Sequence, residues 1–145
     1  MSEGDVKHKK SGGAKWIILS ICIGLPILGV AGWFLGEPIR RHNKAQNDVN
    51  ALLQAVRGYV SEQGDLPKGS FGTICRLLRG ESIEGQNVKH FDYIEAQGQE
   101  VNDKGEFLDP WGHPYRIVYN KKLRVYSCGP SGRDEQGNGD NIVAE

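Results

Sequence analysis

Hydrophobic positions along the chain follow three regimes, and each predicts a different element. From Trp16 to Gly36 no residue is charged and most are apolar. As a helix this run would rise roughly 31 Å, the hydrocarbon thickness of a bilayer. Trp16 stands at one end and Trp33 with Phe34 at the other, where interfacial aromatics belong. Pro26 in mid-span is tolerated in a membrane helix and would bend it. Beyond Glu37-Pro38 the pattern changes. Ala45, Val49, Leu52, Leu53, Val56 and Tyr59 or Val60 recur at steps of three and four, while Asn43, Lys44, Gln46, Asn47, Asp48, Asn50 and Gln54 fill the rest. That spacing predicts an amphipathic helix. Gly64 suits a left-handed cap and Pro67 cannot continue the ladder, so the helix should end there. The break at Pro38 is short enough for both segments to form one long, kinked rod.

The third regime is alternation. Tyr115, Ile117 and Tyr119 point one way and Arg116 and Val118 the other; Asn120-Lys121 forms a two-residue turn, and Leu123, Val125 and Ser127 resume the pattern. Phe107-Leu108 begins an earlier strand. The expectation is an antiparallel sheet of about three strands with one open face for the amphipathic helix, an α+β design. Between helix and sheet, Phe71 to Arg79 predicts a short helix with Ile74, Leu77 and Leu78 on one side. Gly80 to Gly105 is polar and predicts a loop, with one short strand near His90-Phe91-Asp92-Tyr93-Ile94.

At 145 residues the chain holds at most one folded domain. The expected division is a basic tail over 1–15, a transmembrane helix over 16–36 and a folded domain over 37–145. A cleaved signal peptide is the competing reading of the apolar run. Such peptides have an apolar region of about 7–15 residues and an Ala-x-Ala-like site; this run is longer, and only Val30-Ala31-Gly32 resembles a site. Lys7, Lys9, Lys10 and Lys15 face Arg40, Arg41 and Lys44 across the span, a small excess that favours a cytoplasmic N-terminus. The 18 basic and 18 acidic side chains balance, so no basic field marks nucleic acid as a partner.

Catalytic signals are weak. No glycine-rich phosphate loop, Cys-x-x-Cys pair or His-Glu-x-x-His helix occurs, so neither an enzyme nor a small-molecule substrate is expected. His90 has no partner identifiable by spacing, and Ser127-Cys128 has no located base. His113 reads as a turn residue between Gly112 and Pro114. Cys22 lies in the apolar run; Cys75 and Cys128 would share the outer compartment, as a disulfide if it is oxidising or as small buried thiols.

The most specific stretch is Asp109-Pro110-Trp111-Gly112-His113-Pro114-Tyr115. Asp favours the first position of a type I turn, Pro presets φ at the second and Gly suits the fourth. Trp111 is an anchor that a mobile loop would not need. The segment is a rigid corner, followed after a strand interval by Ser127-Cys128-Gly129-Pro130-Ser131-Gly132.

Together these motifs resemble the type IV pilin-like fold, and specifically the major pseudopilin family of type II secretion systems, over about Asn47 to Ile142. Asp48-Val49-Asn50-Ala51-Leu52-Leu53-Gln54-Ala55-Val56-Arg57-Gly58-Tyr59 is similar to the family's helical run. Gly64-Asp65-Leu66-Pro67 is similar to its helix end, with Leu66 for the usual Tyr. The corner, the Ser127–Gly132 loop and Asp140-Asn141-Ile142 match its remaining signatures in order. The resemblance implies a membrane-anchored structural subunit that polymerises through helix packing. It would sit in the cytoplasmic membrane, domain outward, with the lipid bilayer, further copies, other pseudopilins and secretion-machine subunits as partners. Val49, Leu52, Leu53, Val56 and Tyr59, with Asp109, Pro110, Trp111 and Gly112, are the residues expected to carry that role.

The family commonly binds calcium in the loop after its last strands. The implied ligands are Ser131, Asp134, Asn138 and Asp140, with carbonyls near Cys128 and Ser131, although Ser131 replaces the usual acidic ligand. Asp134 to Glu145 also spaces like an EF-hand loop, but Gln136 and the lack of an exiting helix argue against one. By their residues alone, these positions read equally as a solvated turn-forming tail. The N-terminus departs further. Gly12-Gly13-Ala14-Lys15-Trp16-Ile17 stands in place of the family's Gly-Phe-Thr-Leu-(Ile/Val)-Glu processing site, and no acidic residue precedes Glu37 within the apolar run. That departure leaves a second expectation open, an anchored domain that never polymerises and instead binds an envelope partner.

Overall fold

The computed structural model describes residues 37–95 and 99–145, together with the helical backbone of residues 13–36. The elements in order are α1 (Gly13–Gln63), α2 (Phe71–Leu78), β1 (Arg116–Asn120), β2 (Lys122–Ser127) and β3 (Ile142–Ala144). The chain divides into two compact units between Pro38 and Ile39. Among the residues described with side chains, no helix is long and apolar enough to cross a membrane. The span expected over Trp16–Gly36 and the basic tail before it lie outside those residues.

Pro38 removes one donor from the ladder of α1, yet the helix runs through it without a break. Its apolar stripe behaves as the spacing requires. Ala45, Val49, Leu52 and Val56 are fully buried and Leu53 and Tyr59 nearly so. The helix ends where Gly64 takes φ 78° and its N–H returns to the Val60 carbonyl at 2.9 Å, the left-handed closure that glycine permits.

Helix α2 starts at Ser70, whose Oγ accepts from the Thr73 N–H at 3.2 Å, and it buries Gly72, Cys75, Leu77 and Leu78. The following loop carries no strand at His90–Ile94. His90 sits at φ 54°, which breaks an extended run, and the segment makes one isolated bridge, Arg79 with Asp92. Asn87 organises it instead. Fully buried, its Nδ2 donates to the Leu77 and Phe91 carbonyls at 3.0 and 2.9 Å, and its Oδ1 accepts from the Phe91 N–H.

The sheet is antiparallel in the order β1-β2-β3. Its third strand is Ile142–Ala144, not Phe107-Leu108 as the alternation suggested. Phe107 and Leu108 make only isolated bridges, to Val101 and Pro114. The Asp109-Pro110 turn reverses the chain directly after Leu108, and Pro110 and Pro114 lack the N–H groups a ladder needs. The hairpin turn is also tighter than expected. Asn120 pairs with Lys122, leaving Lys121 alone at φ 66°. Tyr119 has the predicted parity, but the hairpin tip extends past the core and leaves it 64% exposed.

One core cluster joins the α1 stripe to Cys75, Leu77 and Leu78 of α2, to Phe107 and Tyr115, and to Val125, Ile142 and Ala144 of the sheet. The α+β reading therefore holds in its main parts: a long helix whose outer half packs with a three-stranded sheet. Cys75 and Cys128 are both free thiols. Burial pushes the Cys75 thiol up to about 12. In the native protein at mildly alkaline pH, iodoacetamide should leave Cys75 unmodified over times that label it fully in denaturant, because the thiolate is the nucleophile. Peptide mass spectrometry checks this, and equal native and denatured labelling would contradict it.

Candidate functional site

The corner is built around one buried carboxylate. Gly112 N–H donates to the Asp109 carbonyl at 2.9 Å, and Asp109 N–H donates to the His113 carbonyl at 2.8 Å; together they close the turn that the Asp-Pro-Trp-Gly order predicts. Asp109 is 2% exposed. Its Oδ1 accepts from the backbone N–H groups of Trp111 and His113 at 3.0 and 2.9 Å, and its Oδ2 accepts from Ser127 Oγ at 2.5 Å. Ser127 Oγ in turn accepts from the Gly129 N–H at 2.9 Å. The side chain that starts the turn thus fastens it to the end of β2. Trp111 is half-buried and packs against the core, while Gly112 is exposed.

Tyr115 leaves the corner and enters the core, where it is fully buried. Its hydroxyl donates to Asp48 Oδ2 at 2.8 Å, and Lys44 Nζ lies 2.8 Å from the same oxygen. Burial first, then this hydrogen bond, raises the phenol far above its ordinary range. Corner and α1 are therefore joined by a charge-assisted bond as well as by packing. Helical spacing puts Asp48 on the polar face of α1, and the resemblance puts it at the head of the family's helical run; neither predicts this bond. Its bond spans 67 residues of sequence, and no local pattern announces it.

The loop from Cys128 to Asn141 folds over the outer face of β2. Tyr126 is buried there and its hydroxyl donates to Asp134 Oδ1 at 2.9 Å; burial and this bond push its pKa up to about 12. Arg124 Nη1 donates to the Gln136 carbonyl at 3.3 Å. Gly129 takes φ 68°, and a β-carbon on it would lie 2.3 Å from the Asp140 carbonyl oxygen. Only glycine fits where the two ends of the loop meet. A β-carbon on Gly132 would lie 2.6 Å from His113 Nε2. His113 is thus a packing partner of the loop, with Nδ1 3.7 Å from Asp109 Oδ1.

Of the four predicted metal residues, Ser131 and Asp140 are in direct contact, while Asp134 and Asn138 bond to other partners. Asp140 faces Ser131, taking the N–H at 3.1 Å on Oδ2 and the hydroxyl at 2.9 Å on Oδ1; these bonds hold its carboxyl below the usual range. Asp134 faces Tyr126, with Oδ2 3.7 Å from Arg116 Nε. Asn138 turns back to donate to the Glu135 carbonyl at 2.9 Å. Among the described residues, no three His, Cys, Asp or Glu side chains form a group that could hold a metal ion.

Asn141, absent from the predicted ligand set, makes more of these contacts than any of its members. Its Nδ2 donates to the Cys128 and Arg133 carbonyls at 3.2 and 2.9 Å. Its Oδ1 accepts from the Glu135 and Gly137 N–H groups at 3.2 and 3.0 Å. A separate groove near the end of α1 is lined by Arg57, Val60, Leu66, Tyr119 and Leu123, among others, and contains none of the predicted site residues.

A family model described as type II secretion system (T2SS), protein G matches residues 39–145. No curated protein and no solved structure matched the chain.

Proposed function

The chain belongs to the type II secretion system protein G family, and from that premise we propose that it is a structural, non-enzymatic subunit of a type II secretion assembly. The Trp16–Gly36 run anchors it in the cytoplasmic membrane, with residues 1–15 inside and 37–145 outside. Assembly proceeds by packing of the long helix against further copies or related subunits, with lipid around the apolar half. The observation that carries the reading is the family match over the whole folded unit. The structure agrees with the role: a helix of 51 residues whose outer half is joined through Asp48 to Tyr115, the residue that leads from the corner into the sheet.

Within this reading the two groups of assembly residues have different tasks. Val49, Leu52, Leu53, Val56 and Tyr59 are buried inside their own domain. They hold the helix at a fixed angle rather than touching another copy. Asp109, Pro110, Trp111 and Gly112 fix the corner on which the sheet is built. Contacts between subunits fall to the exposed side of α1 and to the apolar run.

A second reading, an anchored domain that binds an envelope partner without polymerising, is favoured by one observation. The Gly12-Gly13-Ala14-Lys15-Trp16-Ile17 stretch differs from the family's processing site. Mass spectrometry of the protein isolated from its native membrane separates the two. A trimmed, N-methylated terminus together with cross-linked ladders of copies supports assembly. An intact terminus and no ladder would leave the second reading standing.

A further inference from the structure

We infer that the Asn141 side-chain amide closes the Cys128–Asn141 loop by hydrogen bonding, and that the loop's stability therefore has no requirement for calcium. A cation in such a loop works by gathering oxygens, and calcium takes six to eight of them. Here the Cys128 and Arg133 carbonyls both receive N–H bonds from Asn141 Nδ2. An amide nitrogen is a donor only and cannot share a site with a cation.

The opposite end of the same amide is equally committed. Asn141 Oδ1 takes the N–H groups of Glu135 and Gly137, so two donors and the acceptor oxygen are all in use. Reversing the amide would set oxygen against two carbonyls and nitrogen against two N–H groups, so the network admits one orientation. The carboxylates have protein partners too. Asp140 is paired twice with Ser131, and Asp134 accepts from Tyr126 and from the Gln136 N–H at 3.0 Å. Ser131 and Asn141 thus replace metal–oxygen bonds with protein hydrogen bonds at both ends of the loop. The residues present do not fit a calcium centre.

Closure of the loop by Asn141 does not depend on polymerisation and can be measured without a filament. The full chain in mild detergent is melted in chelator and in millimolar calcium, with near-ultraviolet circular dichroism as the readout, for wild type and for Asn141→Asp. The variant keeps the shape of the side chain but replaces two donors with a carboxylate oxygen facing two carbonyls. Wild type should melt at the same temperature in both conditions, because a ligand that binds the native state must raise the midpoint. Asn141→Asp should melt about 5 °C or more lower in chelator and recover part of that in calcium, which its new carboxylate can hold. A wild-type midpoint that rises with calcium would overturn the inference. So would an Asn141→Asp variant that melts like wild type in chelator or ignores calcium.

Discussion

Asp109→Ala should destabilise the folded unit by about 3 kcal/mol, since it strips the acceptor from three donors at once in a buried place. The Trp111 and His113 N–H groups and the Ser127 hydroxyl all end on this carboxylate, and water has little access to a side chain 2% exposed. Removing the buried charge returns part of its desolvation penalty, which keeps the expected loss below the sum of three orphaned donors. For a unit of this size the melting temperature should fall by roughly 10–20 °C. Asp109→Asn should lose about half as much. Its carbonyl oxygen still serves the two backbone groups, while its NH2 now confronts Ser127 Oγ, which already accepts from Gly129. Urea denaturation of the three proteins measures the series. If Asp109→Ala lies within 1 kcal/mol of wild type, with 1 kcal/mol taken as about the usual error of such comparisons, the carboxylate is not the corner's keystone.

Leu52→Ala should be as severe, by a different route. Leu52 is fully buried and lies within the core cluster that joins α1 to both α2 and the sheet. Truncating it removes transfer free energy and leaves a cavity, together worth about 2–5 kcal/mol. Gln54→Ala, on the exposed side of the same helix, should stay within about 0.5 kcal/mol. The pair also tests how the stripe contributes to assembly. If it acts only by holding the domain, any loss of self-association in Leu52→Ala should follow its melting curve. A variant that melted like wild type yet failed to associate would show that Leu52 touches another subunit.

The contrast between these residues explains which parts of the molecule could be read from sequence. The stripe was legible because helical period and burial are the same fact seen twice, and Gly64 and Pro67 marked its end by their own backbone limits. The corner was legible because Asp, Pro and Gly each fit one turn position. The third strand was not. Ile142–Ala144 is too short to show alternation, and it lies next to β2 only because the loop before it folds back. Phe107-Leu108 looked more strand-like while its neighbouring prolines prevented a ladder. At the site, the resemblance pointed to Ser131, Asp134, Asn138 and Asp140, yet the side chain with the most loop contacts is Asn141. A chain of letters gives the inventory of donors and acceptors; it does not say which carbonyl will stand opposite which amide. Asp48 and Asn87 escaped for the same reason, each acting through a partner set by tertiary contact.

The position of β3 also bears on how the molecule reaches its native state. Gln46 Nε2 in α1 donates to the Val143 carbonyl across 97 residues of sequence, and Ala45 and Val49 share their cluster with Ile142 and Ala144. The entropy of closing so long a loop must be met before any of these contacts gives a return. Formation of α1, α2 and the β1–β2 hairpin can precede that closure, but Ala45 and Val49 lack Ile142 and Ala144 as cluster partners until β3 docks. Docking of β3 should accordingly be a late step of refolding, slowed by the length of chain it closes. Until then the Ala45–Val49 end of the stripe is the part of the domain open to other chains.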